Sequence, residues 1–315
     1  VPSGMQRGTT KKFTLTGVNF SDAKGVVFDT EHLSAALVDS NSQQEVNSRV
    51  LEIEVTAAQD VPVGVHRLFV RSALGMTDSV SILVGPLEER AETDVSEQDP
   101  EVDVTALPLT FTGVVSETAE KDVFFFDATA DEHLVFESVA GQVGSPLSPL
   151  MLVQDQSGTI LSSELKDLTS GVSVLSCLIP RNGRYSFSVS DRRYRGGSNF
   201  FYRIRSGRLP RITGISPRGV KRGTTSELMI EGYNLSQKTV TIRVPEEATI
   251  GSLIPIELEN EKELVSGAKR VVVGEWDEQV EVEPNDLTAQ IVKIPVTING
   301  RITQHSEIKP SDSLV

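Results

Sequence analysis

The stretch Pro2-Ser3-Gly4-Met5-Gln6-Arg7-Gly8-Thr9-Thr10 returns 215 residues later as Pro217-Arg218-Gly219-Val220-Lys221-Arg222-Gly223-Thr224-Thr225, and the same spacing carries Gly17-Val18-Asn19-Phe20 onto Gly232-Tyr233-Asn234-Leu235. A second repeat links Leu83-Val84-Gly85 to Val272-Val273-Gly274, and Leu107-Pro108-Leu109-Thr110-Phe111-Thr112-Gly113 to Ile294-Pro295-Val296-Thr297-Ile298-Asn299-Gly300. Repetition in a fixed order marks serial units, so the chain reads as four modules, A, B, A′ and B′.

Within each unit the apolar side chains alternate, at Phe13 and Leu15, at Leu51, Ile53 and Val55, at Val80, Ile82 and Val84, and at Tyr185, Phe187 and Val189. Period two is the mark of half-buried strands. Turn formers separate them: Asp29-Thr30, Pro62-Val63-Gly64, Gly144-Ser145-Pro146, Asp155-Gln156-Ser157-Gly158 and Arg181-Asn182-Gly183. Such spacing suits β-sandwiches, and no long segment shows a 3.6-residue period. The fold class is therefore all-β, as tandem β-sandwiches.

The expected domains are A at 1–86, an acidic linker at 87–99, B at 100–207, A′ at 210–275, and the start of B′ at 276–315. Glu88 to Asp103 is rich in carboxylates without apolar alternation, and Arg205 to Arg211 reads as a shorter linker. The sequence stops at Ser313-Leu314-Val315, early in B′, which reads as a piece of a longer protein.

With the modules in place, A and A′ resemble IPT/TIG immunoglobulin-like domains, through Pro2, Gly8, Gly17 and Asn19 and again Pro217, Gly223, Gly232 and Asn234. These positions are backbone punctuation: Gly supplies positive φ, Asn tolerates the left-handed region, and Pro starts an edge strand. Module B resembles the bacterial pre-peptidase C-terminal (PPC) domain, a jelly-roll-like sandwich. The resembling pieces are Asp122-Val123-Phe124-Phe125-Phe126, Gly144-Ser145-Pro146-Leu147, Asp155-Gln156-Ser157-Gly158, Pro180-Arg181-Asn182-Gly183-Arg184-Tyr185, Asp191 and Tyr202-Arg203-Ile204. B′ opens on Glu281-Val282-Glu283-Pro284-Asn285-Asp286, the typical start of that family. The resemblance implies an accessory part of an exported bacterial protein, extracytoplasmic and non-catalytic, of the kind found in large planctomycete-type surface proteins.

Some members of that family bind Ca²⁺, a hard cation that takes six to eight oxygens. The matching candidates are Glu97, Asp99, Glu120 and Asp122 in B and Glu281, Glu283, Asn285 and Asp286 in B′. In B the paired aspartates usual after the Asp155 loop are replaced by Ser162-Ser163-Glu164, which removes ligands and favours a solvated acidic linker.

Composition narrows the remaining functions. A formal charge of −14 argues against nucleic acid, whose backbone is bound by Lys and Arg. No apolar run is long enough to span a bilayer. The single cysteine, Cys177, in an apolar run, reads as a buried inert thiol. No Gly-x-Ser-x-Gly, His-Glu-x-x-His or phosphate loop occurs, and His32, His66, His133 and His305 are scattered, so no enzyme is expected. One Trp and four Tyr are few for a glycosidase cleft. Arg192-Arg193-Tyr194-Arg195-Gly196-Gly197 is the one basic cluster, read as an exposed hairpin or as a contact for an acidic patch. The leading function is a structural, adhesive or binding module whose partner is a protein or polysaccharide of the cell envelope. The alternative is an accessory substrate- or carbohydrate-binding region of a secreted hydrolase or protease.

Overall fold

The computed structural model describes residues 3–38, 49–73, 75–92, 104–161, 164–166, 172–258, 264–267, 269–282 and 290–300. Every regular element among them is a strand or a short 3-10 turn. The chain divides into two units, Val1–Leu209 and Pro210–Val315, taken in turn.

The first unit opens with β1 (Gly4–Gln6), β2 (Thr10–Thr16), β3 (Ala23–Phe28), β4 (Leu33–Leu37), β5 (Val50–Ala57), β6 (Gly64–Ser72), β7 (Gly75–Met76) and β8 (Val80–Gly85). One sheet runs β1-β8-β6-β3 with β7 beside β6, and the other β2-β5-β4. The alternating residues meet between them: Phe13, Ile53 and Val55 from one sheet, Met5, Leu68, Val70, Ile82 and Val84 from the other. Their outward neighbours, such as Thr14 and Glu54, are exposed. Val80 departs from the expected alternation and is exposed at the start of its strand.

Module B follows with β9 (Glu89–Ala91), β10 (Val104–Thr105), β11 (Leu109–Val114), β12 (Lys121–Ala128), β13 (His133–Ser138), β14 (Pro149–Asp155), β15 (Glu164–Lys166), β16 (Ser173–Leu178), β17 (Gly183–Asp191) and β18 (Phe201–Gly207). The sheets are β10-β12-β17-β14 and β15-β16-β13-β18-β11-β9. The long strands β11, β12, β13, β14, β16, β17 and β18 fall alternately in one sheet and the other, which is jelly-roll winding. Between the sheets lies an aromatic core. Phe136 stacks on Phe187 at 4.5 Å between centroids and Phe111 meets Phe124 at 4.3 Å, with Phe126, Tyr185 and Tyr202 around them. Cys177 is buried there, and burial pushes its thiol up to about 12.

The second unit contains β19 (Arg211–Ser216), β20 (Gly219–Lys221), β21 (Thr225–Tyr233), β22 (Thr239–Arg243), β23 (Leu253–Pro255) and β24 (Arg270–Gly274), then β25 (Asp277–Val280) and β26 (Val296–Asn299). Sheets β19-β21-β22 and β20-β24-β23 enclose Ile212, Val220, Leu228, Ile230, Val271 and Val273. The pair β25-β26 stands apart as a parallel two-stranded ribbon.

The repeat recurs in three dimensions. Gly8 and Gly223 hold φ of 73° and 74°, and Asn19 and Asn234 hold the left-handed values 61° and 54°, as their residue types require. Gly17 and Gly232 do not use positive φ and serve close approach instead. A Cβ on Gly17 would stand 2.7 Å from the Phe20 ring, and one on Gly232 would strike the Arg211 carbonyl.

Two expected linkers are corrected. Residues 89–91 of the 87–99 segment form β9, in parallel register with β11 (Glu89 opposite Thr110), so the module B sheet begins ahead of residue 100. The strand escapes an apolar-periodicity reading because its pairing is made by backbone and two of its three side chains are charged. Likewise β18 runs to Gly207 and β19 starts at Arg211, leaving only 208–210 of the Arg205–Arg211 stretch as connection.

Candidate functional site

Charged side chains collect where β9 lies against β11 and β18. Strand alternation sends Tyr202 and Ile204 into the aromatic core, so Arg203 and Arg205 emerge on the opposite face of the same sheet. Arg203 is nevertheless only 2% exposed. Its Nη1 is paired with Glu89 and its Nη2 donates to the Met5 carbonyl of β1 at 3.4 Å. Lys11 Nζ reaches the other Glu89 oxygen at 2.5 Å. Two glycines make the room: a Cβ on Gly4 would stand 2.7 Å from Arg203 Nη1, and one on Gly85 2.8 Å from Nη2. Burial and the nearby Arg205 pull the guanidinium below its usual value. Arg205 is paired in turn with Glu137 of β13, another buried carboxylate. This clasp joins modules A and B. Sequence reasoning missed it because outward-facing strand charges are ordinarily solvated; the signal available was the glycine pair, Gly4 and Gly85, flanking the parallel β1–β8 contact.

One residue further along, Glu92 accepts the Val114 N–H at 3.0 and 3.1 Å and the Tyr202 hydroxyl at 3.0 Å. Asp122, at the start of β12, completes this acidic corner with its Oδ2 buried and lacking a hydrogen-bond partner. Burial pushes its carboxyl up to about 7; the Tyr202 hydroxyl opposes this, while Glu92 and Glu120 add to it. Burial likewise pushes the Tyr202 hydroxyl up. The corner holds a proton near neutral pH.

The same corner contains two of the calcium candidates of module B. Glu120 Oε2 is taken by the Ser116 hydroxyl at 2.9 Å and the Glu117 N–H at 2.6 Å, and Asp122 is disposed toward its neutral form. Glu281 lies far along the chain beside Gly300, and among the described residues no three His, Cys, Asp or Glu side chains are placed to hold a metal. Glu120 is thus engaged within module B by the Ser116 hydroxyl and the Glu117 N–H. Glu97, Asp99, Glu283, Asn285 and Asp286 lie outside the described residues.

The remaining motifs resolve into structural fastenings. Asp155 Oδ1 accepts the N–H groups of Ser157 and Thr159, and Oδ2 pairs with Arg181 at 2.8 Å. Tyr185 donates its hydroxyl to the Arg181 carbonyl at 2.6 Å. In the basic cluster Arg195 is no free charge. It grips Asp191 through Nε and Nη2, both at 3.0 Å, donates to the Pro146 carbonyl and covers the Phe200 ring. Burial would raise Asp191, yet Arg195 and the N–H groups of Ser148, Arg195 and Arg193 hold it well below the usual carboxylate range. Arg192 and Arg193 stay exposed, as expected of a charged loop. His66 is a packed strand residue, its Nε2 bound to the Pro62 carbonyl at 2.7 Å.

One open depression in module B, of about 410 Å³, lies beside these fastenings, lined by Phe125, Gln154, Asp155, Gln156, Arg184 and Tyr185. A concave surface that sets the rings of Phe125 and Tyr185 among amide, carboxylate and guanidinium groups fits a ligand with both polar and apolar faces.

No family model and no curated protein matches the chain. Solved structures similar to it include a surface glycan-binding protein of the Bacteroides ovatus mixed-linkage glucan utilization locus in complex with a mixed-linkage heptasaccharide. That match has 12% identity, 87% of this chain, 70% of that chain and a TM-score of 0.24. They include the Yersinia pseudotuberculosis adhesin InvE, at 14% identity, 83% and 67% coverage and a TM-score of 0.17. The C-terminal domain of the Streptococcus pyogenes antigen I/II-family protein AspA matches at 8% identity, 77% and 95% coverage and a TM-score of 0.17. At these scores the spatial arrangements differ, and the functional reading rests on this chain's own geometry.

Proposed function

We propose that the chain is a non-catalytic, jointed spacer of a larger exported protein, built of IPT/TIG-like and PPC-like modules, that presents binding surfaces of the parent at a fixed distance. The clasp of Arg203 with Glu89 and the Met5 carbonyl carries this reading. A spacer must transmit position, and a buried ion pair seated on two glycines fixes how one sandwich meets the next. The test is calorimetry on the full chain. Modules A and B of the wild type should unfold in one transition, and Arg203→Ala should split it in two while opening the 86–92 segment to protease. One undivided transition in the variant, at unchanged protease resistance, would sink the reading.

A second reading, an accessory carbohydrate-binding region serving a hydrolase or protease, is favoured by the depression at Gln154 and Arg184. Retardation in gels cast with soluble polysaccharides, lost in Gln154→Ala, is its expected signature; uniform mobility in every gel argues against it.

A further inference from the structure

The clasp has a counterpart in the second unit. In the first joint Glu89 of β9 stands opposite Thr110 of β11, and in the second Glu278 of β25 stands opposite Thr297 of β26. The 187-residue spacing that carries Thr110 onto Thr297 also carries Thr112 onto Asn299 and Gly113 onto Gly300. Glu92 lies against Gly113, and Glu281 lies against Gly300. The glycine pair recurs as well, Gly4 and Gly85 becoming Gly219 and Gly274.

What differs is the far edge of the ribbon. In the first joint β11 pairs on that side with β18, Arg203 facing Thr112 and Tyr202 facing Gly113. In the second, β26 has no such neighbour among the described residues. The Glu278 carboxylate has turned into the glycine pair, where a Cβ on Gly219 would strike it and one on Gly274 would stand 3.3 Å from Oε1. Asn299 Nδ2 donates to it at 2.6 Å, and among the described residues no cation pairs with it. Beside Asn299 and Gly300 lies a cavity of about 380 Å³, walled by Ile215, Ser216 and Val280 and by the charged Arg218, Glu231 and Glu281.

We infer that the free edge of β26, with Glu278 at its base, accepts one further extended polypeptide strand of the chemistry of β18, running antiparallel with an arginine facing Asn299 and a tyrosine facing Gly300. Backbone hydrogen bonds to an open edge supply the affinity of such an addition, and side-chain pockets supply its selectivity. The guanidinium of the incoming arginine takes over Glu278 from the Asn299 amide. A charge-assisted pair then replaces a neutral donor. This inference rests on the matched registers and stands or falls apart from the spacer reading.

The test uses the full chain and a fluorescent synthetic peptide of the β18 sequence, Phe201 to Gly207, followed by anisotropy. Saturable binding is expected. Replacing the peptide's arginine (Arg203→Gln) and, separately, Glu278→Gln in the chain should each weaken it by at least about tenfold, because each strands one member of a shielded charge pair. The two changes together should cost little more than either one. Absence of binding, or binding indifferent to the peptide's arginine, overturns the inference, and the peptide variant gives that answer even where Glu278→Gln unfolds its unit. Loss of binding in Glu89→Gln with none in Glu278→Gln overturns it too, since the peptide would then be replacing β18 in module B.

Discussion

Strand β18 is buried on both faces, and the two faces are buried by opposite chemistry. Toward the core, Tyr202 and Ile204 meet Phe124 and its aromatic neighbours; on the other side, Arg203 and Arg205 meet Glu89 and Glu137. The apolar face depends on volume and tolerates little loss of it. The charged face depends on matched partners: either member alone is worse than neither.

The largest effect expected from breaking this contrast is on the apolar side. Phe187→Ala removes a ring that stacks on both Phe111 and Phe136, and should cost about 3–5 kcal/mol in denaturant unfolding of module B. Arg203→Met should come close to that, about 3 kcal/mol, by leaving the buried Glu89 with only the half-exposed Lys11 to balance it. The double change Arg203→Met with Glu89→Leu should recover most of the loss, which no second truncation on the aromatic side would do. Absence of that recovery would mean that the clasp acts through shape alone.

Acid titration sharpens the comparison further. The Asp122 carboxyl is raised in the folded state to about 7, so the stability it contributes is present in full below its unfolded value of 3.8 and is lost as pH rises through 7. Asp191 is depressed, so its contribution is present above 3.8 and is lost as pH falls below it. Melting temperatures of the wild type should therefore decline from pH 5 to pH 8, and Asp122→Asn should flatten that decline. Smallest of all, Arg193→Ala should leave stability within about 0.5 kcal/mol, as exposed substitutions do. Arg195→Ala, two positions on, should lower the melting temperature measurably because Asp191 is buried beneath it.

Much of the architecture was legible in the residues. Period-two apolar runs located the strands of an all-β chain, and Asn19 and Asn234 stood in the left-handed backbone that their type suggested. The joint was not legible. Nothing in Tyr202-Arg203-Ile204 marks its arginine as interior, Arg205 reads as the start of a linker, and only the placement of module A against Arg203 turns that face into interior. Strand β9 was hidden for a related reason: Glu89-Arg90-Ala91 lies at a sheet edge, pairing through its backbone, and its acidic side chain is spent on a partner more than a hundred residues away.

Cys177 offers a clock for all of this. Its thiol sits at 3% exposure in the aromatic core, with its ionisation suppressed by burial, so an aromatic disulfide reagent in solution reacts at a rate set by how often module B opens. The colour that develops in such a reaction counts opening events of one sandwich alone, without any label having been engineered into the chain.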